Sequence, residues 1–134
     1  MSIGLLIITH SDTGKNLVQT ATKMFGHCPL EVKTIEVLDD SNPDQLKAEA
    51  ARLVEQLDSG DGVLVLADMY GSTPGNVATS MYQENKINVL AGINLPMLAR
   101  IFNYSSQLDL TGITDAAITG GQKSIVECRP NKHN

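Results

Sequence analysis

Two short, nearly continuous apolar runs decide what this chain can become. Ile3-Gly4-Leu5-Leu6-Ile7-Ile8-Thr9 stops at His10, and Val63-Leu64-Val65-Leu66-Ala67 stops at Asp68. Each is long enough for one strand and far too short to span a bilayer. Neither alternates polar with apolar residues, which suits strands covered on both faces in a parallel sheet. Such sheets bind ligands outside the carboxyl ends of their strands. His10 and Asp68 therefore stand where chemistry is expected. Closing the two most apolar, hence central, strands, they are expected to meet.

The rest of the chain alternates helix and strand patterns. Ser11-Asp12-Thr13-Gly14 offers N-cap candidates for a helix whose stripe is Leu17, Val18, Ala21, Met24 and Phe25, ended by Gly26 and Pro29. Glu31 to Val37 reads as an edge strand, because it carries Glu31, Lys33 and Glu36. Ser41 or Asn42 caps the next helix, with Pro43 first and Leu46, Ala50, Leu53, Val54 and Leu57 buried. Gly60-Asp61-Gly62 stops it. Ser72 or Thr73 caps a helix beginning at Pro74, with Val77, Ala78, Met81 and Tyr82 on its inner side. Ile87 to Ala91 is a fourth strand. Leu98, Ile101 and Phe102 predict a short helix, and Asn103 to Gln107 a polar loop. Leu110, Ile113, Ala116, Ala117 and Ile118 predict a last helix, ended by Gly120-Gly121. Ser124 to Cys128 reads as a short final strand. The expected fold is α/β, an open doubly wound sheet with helices on both faces. One domain is expected over 1–128, with a loose polar tail over 129–134.

Composition removes several classes of function. The formal charge is −5 and no block of Lys or Arg stands out, which argues against nucleic acid as a partner. Hydrophobic residues make up 42%, with no Trp, so an aliphatic core forms without disulfide or metal. Cys28 and Cys128 have neither CxxC nor zinc spacing and read as free thiols of a reducing cytosol. The N-terminus has no basic region followed by a long apolar stretch, so a cytoplasmic protein is expected. Asp39-Asp40 reads as a solvated turn, His27 as a surface residue at a helix end, His133 as idle, and the methionines as packing.

The chemistry follows from the residue types. A neutral imidazole is a nucleophile near pH 7. For one ring nitrogen to attack, the other must hold the proton, and a carboxylate on that N–H sets the tautomer and steadies the cation that forms. Asp68 is placed to do this for His10. A phosphoryl group on His10 also needs donors for its oxygens. Gly71, Ser72 and Thr73, at a helix start, and Ser11, in the turn after His10, offer hydroxyls and amides. Taken singly, each of these features is an ordinary turn or cap, and only their joint placement points to phosphoryl transfer. There is neither GxxxxGK[ST] nor GxGxxG, so direct use of ATP is not expected, and a relay fed by another protein is. No cofactor and no metal is expected.

Three stretches carry a family resemblance: Gly4-Leu5-Leu6-Ile7-Ile8-Thr9-His10, Val65-Leu66-Ala67-Asp68-Met69-Tyr70-Gly71-Ser72-Thr73-Pro74-Gly75-Asn76, and Ala91-Gly92-Ile93-Asn94-Leu95-Pro96-Met97-Leu98. Together they resemble the EIIA domain of the mannose family of the bacterial sugar phosphotransferase system, in order along the chain to about Val126. The resemblance implies that the phosphocarrier HPr phosphorylates His10 on a ring nitrogen. It implies that Asp68 hydrogen-bonds the other nitrogen and that Ser72 lies by the phosphoryl oxygens. It implies passage of the phosphate to an EIIB partner and on to a sugar entering through a membrane permease. It implies four parallel strands plus one C-terminal antiparallel strand, Ser124 to Cys128, crossing to the partner's sheet in a homodimer. With no linker to a fused EIIB domain, a stand-alone EIIA is expected, in sugar uptake or its regulation.

Other readings make distinct predictions. The phosphotransfer subunit of dihydroxyacetone kinase also begins with a strand and a histidine, but Gly71-Ser72-Thr73-Pro74-Gly75-Asn76 and Asn94-Leu95-Pro96-Met97 favour the mannose family. A receiver-like module would take phosphate on Asp68, yet it wants acidic residues after the first strand, where Thr9-His10 stands. A non-catalytic small-ligand binder would take no phosphate. Docking of HPr also predicts a rim around His10 without a dense negative patch, Asp12 being the acidic residue close to it in sequence.

Overall fold

The computed structural model describes residues 2–130. The expectation for His133, and that for the tail over 131–134, lie outside the described residues. The elements run β1 (Gly4–His10), α1 (Thr13–Phe25), β2 (Val32–Val37), α2 (Pro43–Leu57), β3 (Val63–Ala67), α3 (Thr73–Thr79), β4 (Ile87–Ala91), α4 (Leu95–Tyr104) and α5 (Leu110–Lys123).

The four strands form one parallel sheet in the order β2-β1-β3-β4. The two continuous apolar runs are the central pair, with Ile7 opposite Leu66 and Ile8 opposite Ala67. Their side chains alternate between two cores. Leu6, Ile8, Val63, Val65 and Ala67 pack on one face with Leu53 and Val54 of α2 and Val77 and Ala78 of α3. Leu5, Ile7, Leu64 and Leu66 pack on the other with Ala21 of α1, Leu98, Ile101 and Phe102 of α4, and Ile113 and Ala117 of α5. Double coverage explains why neither run alternates: each fully buried Leu or Ile contributes roughly 1.5–3 kcal/mol whichever way it points. The charged strand, β2, is an edge, with Lys33 and Glu36 exposed.

The caps resolve as side-chain chemistry dictates. Asn42 accepts from the N–H groups of Asp44 and Gln45, Asn94 from Met97, and Asp109 from Gly112. Ser41 instead accepts from the Leu38 N–H.

Four expectations differ in the structure. Within this chain residues 124–128 form no strand, so the strand expected to cross to a partner's sheet is not shown: α5 runs to Lys123, and the Ile125 N–H donates to Gln122 O at 3.3 Å. Ile125 is 82% exposed. A strand exists only where another edge supplies hydrogen-bond partners, and an alternating segment does not encode where that edge is. The expected antiparallel fifth strand is therefore absent among the described residues. Second, Gly120 and Gly121 do not end α5 but lie buried inside it. A Cβ on Gly120 would collide with the Arg100 side chain, so this glycine lets α4 and α5 approach. Third, α3 stops at Thr79 and leaves Tyr82 exposed, while α4 continues to Tyr104. Fourth, Met24 and Met69 are exposed rather than packed, whereas Met97 is buried.

Candidate active site

All four strands point the same way, so the carboxyl ends of β2, β1 and β3 share one edge, with β1 in the middle. His10, the last residue of β1, is the one exposed position of that strand. Asp68 follows β3 directly. Its Oδ2 accepts the His10 backbone N–H at 2.9 Å and lies 2.8 Å from His10 Nδ1. A carboxylate only accepts, so in the neutral imidazole Nδ1 is the nitrogen that carries the proton and Nε2 the one with the lone pair. The imidazole is 54% exposed and the Asp68 side chain 17%. The other carboxylate oxygen, Oδ1, is buried without a hydrogen-bond partner among the described residues.

The chain after His10 turns sharply. Ser11 takes a left-handed φ of 47°, and its N–H donates to Val37 O at 2.9 Å. Asp12 occupies the N-cap position of α1 but makes no capping hydrogen bond. The cap comes from inside β1: Thr9 Oγ1 accepts the Gly14 N–H at 2.8 Å and donates to Ser11 O at 3.4 Å. Sequence reasoning missed Thr9. The available signal was a hydroxyl-bearing residue in an otherwise aliphatic run.

The turn after Asp68 holds the other expected residues. Ser72 caps α3, its Oγ donating to Met69 O at 2.6 Å and accepting the Gly75 N–H at 3.3 Å. Thr73 is the exposed first residue of α3, and Gly71 has a φ of 81°. Asp68 is thus brought onto His10 itself. Ser11 is joined to it by the chain, and Gly71, Ser72 and Thr73 occupy the neighbouring loop without a hydrogen bond to the imidazole.

The edge carries more acid and more apolar surface than sequence proximity suggested. Val37 is in register with His10, so Leu38, Asp39 and Asp40 emerge beside it, all exposed. Asp12 is therefore not alone there, because parallel pairing brings β2's end alongside. Met69 and Tyr70, 62% and 86% exposed, follow β3 on the opposite side of His10 from Leu38. Cavities of about 490, 180 and 530 Å³ are lined by other residues, among them Tyr82 and Lys86, Met97 and Ile118, and Asp61 and Asp109. The imidazole stands on an open rim rather than in any of these. Among the described residues no group of three or more His, Cys, Asp or Glu side chains is arranged to hold a metal, and no helix is long and apolar enough to cross a membrane.

Known proteins share this fold. Residues 4–118 match the family model EIIA-man, described as the PTS system fructose IIA component. The PTS system mannose-specific EIIAB component of Escherichia coli K12 is 31% identical over 99 residues, covering 73% of this chain and 30% of that protein. The chain thus spans about 30% of the length of that curated relative. The PTS system fructose-specific EIIA component of Bacillus subtilis is 24% identical over 127 residues, 94% of this chain and 86% of that one. A crystal structure of phosphotransferase system component EIIA from Streptococcus agalactiae superposes with a TM-score of 0.82 at 26% identity, covering 93% of this chain and 96% of that chain. A parallel sheet ending in a carboxylate-held histidine, with a family match running from β1 into α5, places this chain in the EIIA-man family of the sugar phosphotransferase system.

Proposed function

We propose that this protein is a phosphoryl relay that accepts phosphate from HPr on Nε2 of His10 and passes it to an EIIB partner. The observation that carries the reading is the exposed imidazole whose Nδ1 lies 2.8 Å from Asp68 Oδ2. In the transfer, the Nε2 lone pair attacks phosphorus, the new N–P bond forms, and the bond from phosphorus to the donor breaks with its electron pair returning to the donor. The Nδ1 proton stays on His10, where Asp68 steadies the positive ring. The onward step to EIIB is the same exchange in reverse order, with His10 as leaving group.

The phosphoryl oxygens are received by the loops bearing Ser11, Gly71, Ser72 and Thr73. The Ser72 hydroxyl would have to exchange its bond to Met69 O for one to phosphate. An open rim with Leu38, Met69 and Tyr70 on either side of the nucleophile suits a protein donor better than an enclosed small molecule. The protein acts in the cytoplasm as a homodimer, next to a membrane permease, in sugar uptake or its regulation. Phosphorylation of Asp68 itself is disfavoured, because Oδ2 is engaged by His10 and Oδ1 is buried.

The test is incubation with phosphoenolpyruvate, enzyme I and HPr, comparing the native protein with His10→Ala. Acid-labile label on the native protein and none on the variant is the expected result. Label retained by His10→Ala rejects the relay on His10, and no loading of either protein favours a non-catalytic binder.

A further inference from the structure

We propose that Thr9 is a positioning residue for phosphoryl transfer, its buried hydroxyl strapping the His10–Ser11 turn to the first turn of α1. The inference rests on His10 being the phosphoryl acceptor, and it concerns what holds that ring in its reactive attitude.

Thr9 is 1% exposed, on the face of β1 that Leu5 and Ile7 also use. An aliphatic residue would satisfy that core without the expense of burying a hydroxyl. Here the hydroxyl is used twice, and both bonds go to the segment that follows the nucleophile. It accepts from the Gly14 N–H, which has no other cap because the Asp12 side chain makes none. It donates to Ser11 O. Gly14 permits the approach: a Cβ there would come within 2.5 Å of Ile7 Cγ2 and 3.1 Å of Thr9 Cγ2.

The consequence falls on His10. Ser11 sits at a φ of 47°, a conformation that a non-glycine residue keeps only where its surroundings enforce it. Enforcement comes through both its backbone groups, the N–H held by Val37 O and the C=O by Thr9. The His10 N–H is held by Asp68 on the other side. With the peptides before and after His10 pinned, the imidazole reaches Asp68 Oδ2 through its side-chain torsions alone. Removing the strap frees the Ser11 C=O, so the left-handed φ of Ser11 relaxes and strains the Ser11 N–H bond to Val37 O that fixes the far side of His10. The backbone of His10 then shifts relative to Asp68, and Nδ1 loses its fixed partner.

A cap whose only role is structural would cost stability and nothing more. The test therefore reads the ring itself. Thr9→Val, of the same shape without the hydroxyl, is compared with Thr9→Ser, which retains it. The His10 ring-nitrogen shifts by NMR report how much of the ring holds its proton on Nδ1. Single-turnover loading from phosphorylated HPr separates the maximal rate from the donor concentration at half-maximum. Thr9→Val is expected to lose part of the Nδ1–H population and to lower the maximal rate about ten- to a hundredfold, the scale of a small misplacement of a reacting group. Its half-saturating donor concentration should stay within about twofold, because positioning affects the bound complex rather than docking. Thr9→Ser should restore both quantities. Native ring shifts and rate in Thr9→Val overturn the proposal, as does a Thr9→Ser that behaves like Thr9→Val. Should Thr9→Val not fold, Thr9→Ala, which leaves room for water at the Gly14 N–H, carries the same comparison. If HPr loads nothing onto the native protein, the relay reading fails, while the ring shifts still decide whether Thr9 orients His10.

Discussion

One oxygen of Asp68 holds His10 by two donors at once, the backbone N–H at 2.9 Å and the ring nitrogen Nδ1 at 2.8 Å. Backbone and side chain of the nucleophile are therefore referenced to the same point, and the second oxygen has no hydrogen-bond partner among the described residues.

Replacing Asp68 by Asn tests that arrangement directly. The amide oxygen can still accept both N–H groups, but it carries no charge to steady a cationic ring, and the NH2 can turn toward Nδ1 and hold the other tautomer. Where an orienting carboxylate is lost in this way, the wrong tautomer is populated and rates fall by orders of magnitude. Loading of Asp68→Asn from phosphorylated HPr is expected to slow about a hundredfold or more. Its denaturation midpoint should shift little, because the isosteric amide puts one buried polar atom in the place of another and its oxygen can keep both bonds. Native loading rates in a folded Asp68→Asn would contradict the role.

Ser11 makes the turn in a left-handed conformation that glycine adopts without strain. Ser11→Gly relieves a cost of about 1 kcal/mol but gains unfolded-state freedom of similar size, so a net gain between zero and about 1 kcal/mol is expected. Ser11→Val, β-branched at positive φ, should lose more than about 1 kcal/mol. Urea unfolding of the three proteins ranks them, and Ser11→Val matching the native protein would mean the turn relaxes elsewhere.

Gly75 presses α3 against the turn that follows Asp68, since a Cβ on it would lie 2.5 Å from Met69 O. The obstacle is backbone rather than a flexible side chain, so the turn itself must shift to make room. Gly75→Ala is expected to destabilise the protein by about 1–3 kcal/mol, as overpacking does, and to slow loading by moving the Asp68 turn. Thermal unfolding and the loading assay, run together, check both effects.

Tyr70 is 86% exposed beside the site, and the fold gives it no packing role. Tyr70→Ala should leave stability within about 0.5 kcal/mol. If HPr docks over this rim, the variant should raise the donor concentration for half-maximal loading by about tenfold, with the maximal rate unchanged. An unchanged half-saturation value would place the docking surface elsewhere.

Much of this was legible along the chain. Short continuous apolar runs suit strands buried on two faces, so Ile3 to Thr9 and Val63 to Ala67 read as the sheet's central pair, and right-handed crossovers put the ends that carry His10 and Asp68 on one edge. Asn42 before Pro43 and Ser72 ahead of Pro74 were readable as helix starts because capping is chemistry between near neighbours.

What only the tertiary structure decided was every feature whose partner is distant in sequence. The hydroxyl of Thr9 looked like one more strand residue until α1 folded back and offered the Gly14 N–H. Gly120 looked like a helix stop until Arg100 of α4 occupied the space beside it. Asp39 and Asp40 joined the rim because β2 pairs with β1 in register, and Ser124 to Cys128 made no strand because no edge among the described residues meets it. Local pattern determines what a segment prefers. Which groups end up opposite it is settled by packing and hydrogen-bond pairing across the whole fold, and the reactive attitude of His10 depends on both.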